Sequence, residues 1–357
     1  MHYGDNPMMM DWDKDGPYAF IKNDSTTVVN YIRGNQDNGF YLDIKEYPAG
    51  ATIKASTYFP LDSTTFEFNL KTDFKRPPSV YNDNKKVLAI SDIESGFKTF
   101  RDFLMANNVI DKNLNWIFGS GHLVLNGDFV DRGFSTTQVL WFIYKLEQDA
   151  KKHGGIVHFI LGNHELKNMQ GNFDSTSPKY FHISSILEKK QTELYDNNSI
   201  LGKWMSSKNT IELINGTLFT HGGIHPEIVN YDVNLNQINK ITSERYYTPY
   251  YPKVEKTEKE FLNSTYTGVS WYRGYYKEDL SQEDIDLILQ KFQANAIAVG
   301  HTLQSEVNRT FNGKVIGIDV KHPKDYHKNF PSGESEGLLV VNKNYYRLLS
   351  DGTRVEI

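Results

Sequence analysis

The segment His122-Leu-Val-Leu-Asn-Gly-Asp-Phe-Val-Asp-Arg-Gly133 determines how the rest of the chain is interpreted. Residues His122–Leu125 have the apolar character of a short buried strand. The turn that follows holds Asp128 and Asp131, whose carboxylates can face one cavity above the edge of a sheet. Such a pair needs cations beside it, because unpaired buried charge is very costly. Arg132 adds a planar donor group that suits an oxyanion. A solvated acidic turn would have the same residues, and the remainder of the chain decides between the two.

Composition limits the partners of the protein but leaves its location open. The 357 residues carry a net charge of −5 with both signs mixed, so nucleic-acid binding is not expected. No apolar run reaches the roughly 18 residues that a membrane span needs. The first ten residues lack the basic and apolar regions of a signal peptide. The location stays open between the cytoplasm and, if an export signal has been removed, the periplasm.

Cysteine is absent from the chain, which restricts its chemistry. Disulfides and thiolate metal sites are both excluded. Any metal must therefore be held by His, Asp, Glu or Asn. This donor set suits Mn, Fe, Mg or Zn.

The hydrophobic pattern divides the chain into two parts. Residues 1–82 contain five segments rich in β-branched and aromatic residues, which predict a small all-β module of sandwich or meander type. These predicted strands are Tyr18–Ile21, Thr26–Tyr31, Phe40–Ile44, Thr52–Phe59 and Thr65–Leu70. Residues Arg76–Ser79, which include two prolines, are typical of a linker. Nothing in the module indicates chemistry, so packing, substrate framing or dimer contact is its expected role.

Residues 83–357 alternate between buried strands and amphipathic helices, which predicts an α/β domain with helices packed on its sheets. The predicted strands are Lys86–Ser91, His122–Leu125, Ile156–Leu161, Thr217–Thr220, Ala296–Val299, Val315–Val320 and Leu338–Val341. The predicted helices are Phe97–Asn107, Ser135–Lys152 and Ser281–Ala294, the last with a serine cap.

Polar side chains follow five of these strands at the point where each strand ends. They are Asp92 and Glu94, then Asp128, Asn163, His221 and His301. Asp92 and Glu94 are two residues apart, so along an extended chain they lie on one side and can share a metal. Sites in α/β sheets usually lie at the carboxyl ends of strands. Five such ends in order therefore predict a metal site.

The blocks that contain these residues resemble the signatures of the calcineurin-like metallophosphoesterase superfamily. They are Asp92-Ile-Glu94, Gly127-Asp-Phe-Val-Asp-Arg-Gly133, Gly162-Asn-His-Glu165, His221-Gly-Gly223 and Gly300-His-Thr302. Segments 162–172 and 270–274 further resemble the bacterial Shewanella-like group of phosphoprotein phosphatases. The resemblance runs from about Lys85 to the C-terminus and implies a four-layer fold, a central β-sandwich flanked by helices.

The resemblance also implies two divalent metal ions that share Asp128. Metal one would be held by Asp92, Glu94 and Asp128, and metal two by Asp128, Asn163, His221 and His301. The chain departs from the pattern at Glu94, where most relatives have histidine, and at Leu303, where some have a further histidine. Glu94 is either an oxygen ligand of metal one, which is the preferred interpretation, or a residue that contacts the ligands without binding the metal. In the second case metal one would be weakly held. An oxygen in place of a nitrogen favours Mn, Mg or Fe over Zn, with Mn preferred.

The same resemblance suggests how the residues would act. A hydroxide shared by the two metals would attack phosphorus, while Arg132 and Arg273 would clamp the phosphoryl oxygens. His164 is the candidate general acid for the leaving oxygen, and Asp131 would orient it and raise its pKa. Arg132 could instead pair with a neighbouring aspartate, and Arg273 could belong to a packing segment.

The sequence thus predicts a metal-dependent phosphoric-monoester hydrolase, acting on phosphoproteins (at Ser, Thr or Tyr) or on small aryl phosphates. One alternative is a dinucleotide polyphosphate or nucleotide hydrolase. Another is a degenerate binding module without catalysis, in which Glu94 has abolished metal one. Of the other histidines, His158 is expected to be structural, whereas His322 and His327, in a lysine-rich loop, are expected to be solvated.

Overall fold

The computed structural model describes residues 12–254, 257–277 and 280–357. The first eleven residues, where no signal peptide was predicted, lie outside this part of the chain. The strands are β1 (Asp15–Asn23), β2 (Thr26–Asn35), β3 (Gly39–Pro48), β4 (Ile53–Phe59), β5 (Thr64–Leu70), β6 (Val80–Tyr81), β7 (Val87–Ile90), β8 (His122–Leu125), β9 (Ile156–Phe159), β10 (Ile211–Ile214), β11 (Thr217–Thr220), β12 (Ala296–Val299), β13 (Asn308–Thr310), β14 (Val315–Gly317), β15 (Glu336–Val341), β16 (Asn344–Leu349) and β17 (Arg354–Glu356).

The α-helices are α1 (Phe97–Ala106), α2 (Thr136–Lys152), α3 (Asn163–Met169), α4 (Pro178–Ile186), α5 (Ile200–Met205), α6 (Leu235–Ser243), α7 (Glu258–Asn263), α8 (Gly274–Lys277) and α9 (Gln282–Phe292). Short 3₁₀ helices form at Gln191–Leu194 and Pro226–Asn230. Among the described residues, no helix combines the length and the apolarity that crossing a membrane would require.

Two six-stranded sheets form the centre of the fold. One has the order β17-β16-β15-β7-β8-β9 and the other β13-β14-β12-β11-β10-β6. Because successive side chains of a strand point to opposite faces, Ala89 of β7 joins Ala298 of β12 in the buried cluster between the sheets. Its neighbours Leu88 and Ile90 belong to the cluster on the outer face.

Helices cover both outer faces. Leu88 shares its cluster with Phe100 of α1 and Phe142 of α2, and Ile297 of the second sheet shares its cluster with Ile285 of α9. The order of layers is therefore helix, sheet, sheet, helix, which confirms the predicted four-layer fold.

The N-terminal strands form a three-stranded meander, β1-β2-β3, and a separate hairpin, β4-β5. Phe68 of β5 stacks on Trp141 of α2 with 4.9 Å between ring centroids, and the Trp141 indole donates to the carbonyl of Pro17 at 2.9 Å. Asp15 of β1 pairs with the buried Lys179 at 2.8 Å. The module thus shares its core with α2 and rests on the outer face of the first sheet.

The segments predicted as strands and helices form those elements, and the Ser281 hydroxyl accepts from the amide of Asp284 at 3.1 Å, as its predicted cap requires. The sequence did not predict β6, β10, β13, β16 or β17, nor the short helices between residues 163 and 277. Strand β6 has only two residues, and β10, β13, β16 and β17 each contain a charged residue, so none of them shows the apolar run that predicts a buried strand.

Candidate metal centre

The predicted site residues meet at one edge of the central sandwich. Strands β7, β8 and β9 are parallel in one sheet, and β11, β12 and β14 are parallel in the other. Each set of three therefore delivers its following loops to one edge of its sheet. The two edges meet, because the side-chain amide of Asn126, just after β8, donates to the carbonyl of Thr220 at the end of β11 at 3.0 Å. Backbone bonds join two of these loops, from Asp92 N to the Gly127 carbonyl at 3.0 Å and from Glu94 N to the Asp128 carbonyl at 3.0 Å.

The loops place their polar residues in a left-handed backbone conformation that residues other than glycine rarely adopt. Left-handed φ values occur at Asp92 (56°), Glu94 (51°), Asp128 (59°), Asp131 (69°), Arg132 (60°) and His301 (64°). The prediction that Asp92 and Glu94 lie along an extended chain is wrong, because the chain turns immediately after β7. Each such residue costs on the order of 1 kcal/mol or more and persists where the surroundings enforce it, as they do at functional sites.

Donor atoms of four residues, Asp128, Asn163, His221 and His301, lie close together. Ligand atoms of Asp128, His221 and His301 lie within 4.8 Å of one another. The Nε2 atom of His221 is 3.1 Å from Asp128 Oδ2 and 3.1 Å from Asn163 Oδ1. The other His221 nitrogen, Nδ1, lies 2.7 Å from the carbonyl of Asn126. That bond fixes the ring with Nε2 turned toward the cluster, the usual arrangement for a metal-ligating histidine.

The charges of the cluster suit a cation. Burial lowers the pKa of His221, but the carboxylates of Asp128 and Asp92 outweigh it and raise that pKa to about 10. The site therefore attracts a positive charge, and a metal ion would displace this proton. Burial and the charge of His221 lower the pKa of His301 to about 2, so its imidazole is neutral, as a ligand must be. The residues present fit the predicted metal two.

Close backbone approach makes the cluster possible. A Cβ added to Gly162, just before α3, would lie 2.3 Å from Asp128 Oδ1. One added to Gly127, where φ is +86°, would lie 2.5 Å from His221 Nδ1. Glycine is therefore required at both positions by space, and at Gly127 also by conformation.

The residues predicted for metal one are arranged differently. Asp92 is buried, and its Oδ2 accepts from the amide of His301 at 3.2 Å. Burial raises the pKa of Asp92 to about 6. Glu94 is paired with two cations, since its Oε1 contacts Arg132 and its Oε2 lies 2.7 Å from Lys324 Nζ.

The candidate general acid is held by a carboxylate. His164 Nδ1 lies 2.7 Å from Asp131 Oδ2, and Asp131 Oδ1 accepts from Asn168 at 2.8 Å and from Thr176 at 2.9 Å. Burial lowers the pKa of His164, but the bond to Asp131 and the charge of Asp128 raise it above its usual value overall. The Nε2 atom lies 3.8 Å from Asp128 Oδ2, beside the cluster.

A cavity of about 760 Å³ opens over these residues. Arg132 and Arg273 both line it. Arg273 donates to the carbonyl of His301 and lies 3.2 Å from His301 Nδ1. Arg132 contacts Glu94 rather than a neighbouring aspartate. All ten residues predicted for the site thus meet at one edge of the sandwich.

Sequence reasoning missed several residues of the site. Glu165 is fully buried and accepts from three backbone amides, of Asp128 at 2.9 Å, Phe129 at 2.8 Å and Gly162 at 2.8 Å, which ties α3 to the loop after β8. It lay inside the Asn163–Glu165 block, so its position was the available signal. Lys324 and Asp319 line the cavity and gave no signal of their own.

The prediction that His322 is solvated is wrong, whereas His327 is exposed as predicted. His322 is only 1% exposed, and its Nε2 lies 2.8 Å from the carbonyl of Ser91, next to Asp92. The chain after β14 crosses the sheet edge, which turns this residue inward. His158 is buried in a bond to Glu212 at 2.6 Å, away from the metal cluster.

Fold and site together define a metallophosphoesterase, and comparison with known proteins agrees. A model of the calcineurin-like phosphoesterase family matches residues 85–305. The chain belongs to this family, as the motifs predicted, and it is a hydrolase of phosphoric esters. The family implies divalent metal ions, and relatives that are phosphatases imply phosphorylated substrates.

Particular relatives fall within the Shewanella-like group. The chain is 30% identical over 278 residues to Shewanella-like protein phosphatase 1 of Plasmodium berghei, covering 71% of this chain and 73% of that protein. It is 22% identical over 344 residues to Shewanella-like protein phosphatase 2 of Arabidopsis thaliana, covering 80% and 83%.

A solved structure extends the likeness to the N-terminal module. The cold-active protein-tyrosine phosphatase of a psychrophilic Shewanella species is 31% identical, with a TM-score of 0.80, and the match covers 96% of this chain and 98% of that one. A match of that extent includes most of residues 1–82, which the motif resemblance left out.

Proposed function

We propose that this chain is a metal-dependent phosphomonoesterase for aryl phosphates, including phosphotyrosine side chains of proteins. The observation that carries the proposal is the cluster of Asp128, His221 and His301 donors within 4.8 Å of one another, beside the bonded pair of His164 and Asp131. The likeness of the chain to a protein-tyrosine phosphatase, over 96% of its residues, supports the substrate class.

The metal ligands are proposed as two sets that share Asp128. Asn163, His221 and His301 complete the set for metal two, and Asp92 contributes to metal one. We propose Mn²⁺ as the working ion, because carboxylate, amide and imidazole donors without thiolate suit it. When bound, the ions lower the pKa of a water molecule and draw charge from the phosphoryl oxygens.

The remaining residues bind the substrate and move one proton. Arg132 and Arg273 hold the phosphoryl oxygens at the cavity wall, where their planar groups match oxyanion geometry. His164 donates its Nε2 proton to the leaving phenolate oxygen. Asp131 keeps the ring oriented through Nδ1 and stabilises the imidazolium that serves as the acid.

Hydrolysis of p-nitrophenyl phosphate and of a phosphotyrosine peptide tests the proposal, with protein stripped by chelator and then reloaded with Mn²⁺. We expect no turnover after stripping and recovery on reloading. A dinucleotide polyphosphate serves as the contrast substrate. Preferential hydrolysis of the dinucleotide would overturn the substrate class, and no turnover with any divalent ion would overturn catalysis.

A further inference from the structure

Glu94 occupies a position between two cations in the wall of the catalytic cavity. Its Oε1 contacts Arg132 and its Oε2 lies 2.7 Å from Lys324 Nζ. The side chains of Glu94 and Lys324 are only 12% and 14% exposed, whereas that of Arg132 is 53% exposed. Both oxygens of the carboxylate are therefore in use, one for each cation.

Lys324 has capacity left for a ligand. An ammonium group has three N–H donors. One faces Glu94, and a second reaches the carbonyl of Asp92 at 3.4 Å. Within the described part of the chain, the third has no hydrogen-bond partner, and Lys324 lines the same cavity as Arg132 and Arg273.

The charges match a phosphate dianion. Two cations held this close repel each other, and the carboxylate between them offsets that repulsion. Glu94, Arg132 and Lys324 together carry one net positive charge, and Arg273 adds a second. This wall of the cavity is thus complementary in charge to a phosphoryl group of charge near −2.

We propose that Lys324 is a third phosphate-binding cation, and that Glu94 is a positioning residue that holds Lys324 and Arg132 rather than a ligand of metal one. The inference rests on the proposed phosphatase function. Each oxygen of Glu94 already faces a cation, so a metal ion bound there would be a third positive charge on the same carboxylate and would be repelled by Arg132 and Lys324. Metal one is then held chiefly by Asp92 and Asp128, and it should exchange more readily than metal two.

The test is the affinity of Mn²⁺-loaded protein for inorganic phosphate, measured by calorimetry, together with metal content by elemental analysis. The variants are Lys324→Met and Glu94→Gln, which remove charge and keep length. Lys328→Met is the matched control, because Lys328 is an exposed lysine of the same loop outside the cavity lining.

We expect phosphate to bind at least tenfold more weakly to Lys324→Met and Glu94→Gln, with metal content as in the unmodified protein, and Lys324→Arg to recover most of the affinity. Unchanged phosphate affinity in Lys324→Met would overturn the role of Lys324. Loss of one metal equivalent in Glu94→Gln would overturn the role of Glu94. The affinity measurement needs no turnover, whereas the proposed function is tested by turnover, so a failure of this inference and a failure of the proposed function are observed separately.

Discussion

The substitution Asp131→Asn tests how much the carboxylate of Asp131 contributes to the action of His164, the candidate general acid. The change keeps the shape of the side chain, and the retained oxygen can still accept from Asn168 and Thr176, which contact Asp131 at 2.8 and 2.9 Å. What is lost is the charge that faces His164 Nδ1 at 2.7 Å. A hydrogen bond to a charged group contributes about 1.5–3 kcal/mol.

That energy sets the size of the expected effect. At about 1.4 kcal/mol for each factor of ten, loss of the charge should lower kcat about 10- to 150-fold wherever protonation of the leaving oxygen limits the rate. Since Asp131 raises the pKa of His164, its removal should also move the alkaline limit of activity to lower pH, because the protonated acid disappears as pH rises through its pKa.

The assay compares aryl phosphates that differ in the pKa of the phenol they release. Phenyl phosphate, with a poor leaving group, should lose much more activity than p-nitrophenyl phosphate, whose leaving group needs little protonation. Metal content is measured in parallel, and Asp286→Asn, a carboxylate on the exposed surface, is the matched control. Equal losses on both substrates, with metals retained, would refute the general-acid role of His164.

Three further predictions concern metal binding and stability. Asp128→Asn should release bound metal, because it removes the charge that the cations share, and full metal content by elemental analysis would contradict this. Gly162→Ala should also lower metal content, since its Cβ would lie 2.3 Å from Asp128 Oδ1, and unchanged calorimetric Mn²⁺ affinity would argue against the need for close approach. Lys179→Met should lower the free energy of unfolding by about 3 kcal/mol in urea titration, because it leaves Asp15 buried without its cation; a change below about 1 kcal/mol would show that Asp15 is satisfied otherwise.

Local patterns were enough to predict much of the fold. Strands β7 and β12 are continuous apolar runs, and Ser281 and Asp284 mark the start of α9 by their own chemistry. The site residues were found because each follows such a strand, and the topology then brings them together.

The pairing of Glu94 could not be predicted in the same way. Its partners Arg132 and Lys324 are 38 and 230 residues further along the chain, and the left-handed turn that aims it inward is imposed by contacts with the loop after β8. The lysine-rich loop around His322 has the polar composition of a solvent-exposed segment, yet it packs over the edge of the sheet. Tertiary contacts, and not local preference, decide both cases.

The most direct test is anomalous diffraction from crystals of the protein soaked in manganese. A manganese ion is expected in contact with Asp128, Asn163, His221 and His301, with a second, less occupied ion beside Asp92. Protein that hydrolyses p-nitrophenyl phosphate but shows no anomalous peak among these side chains would contradict the proposed metal centre.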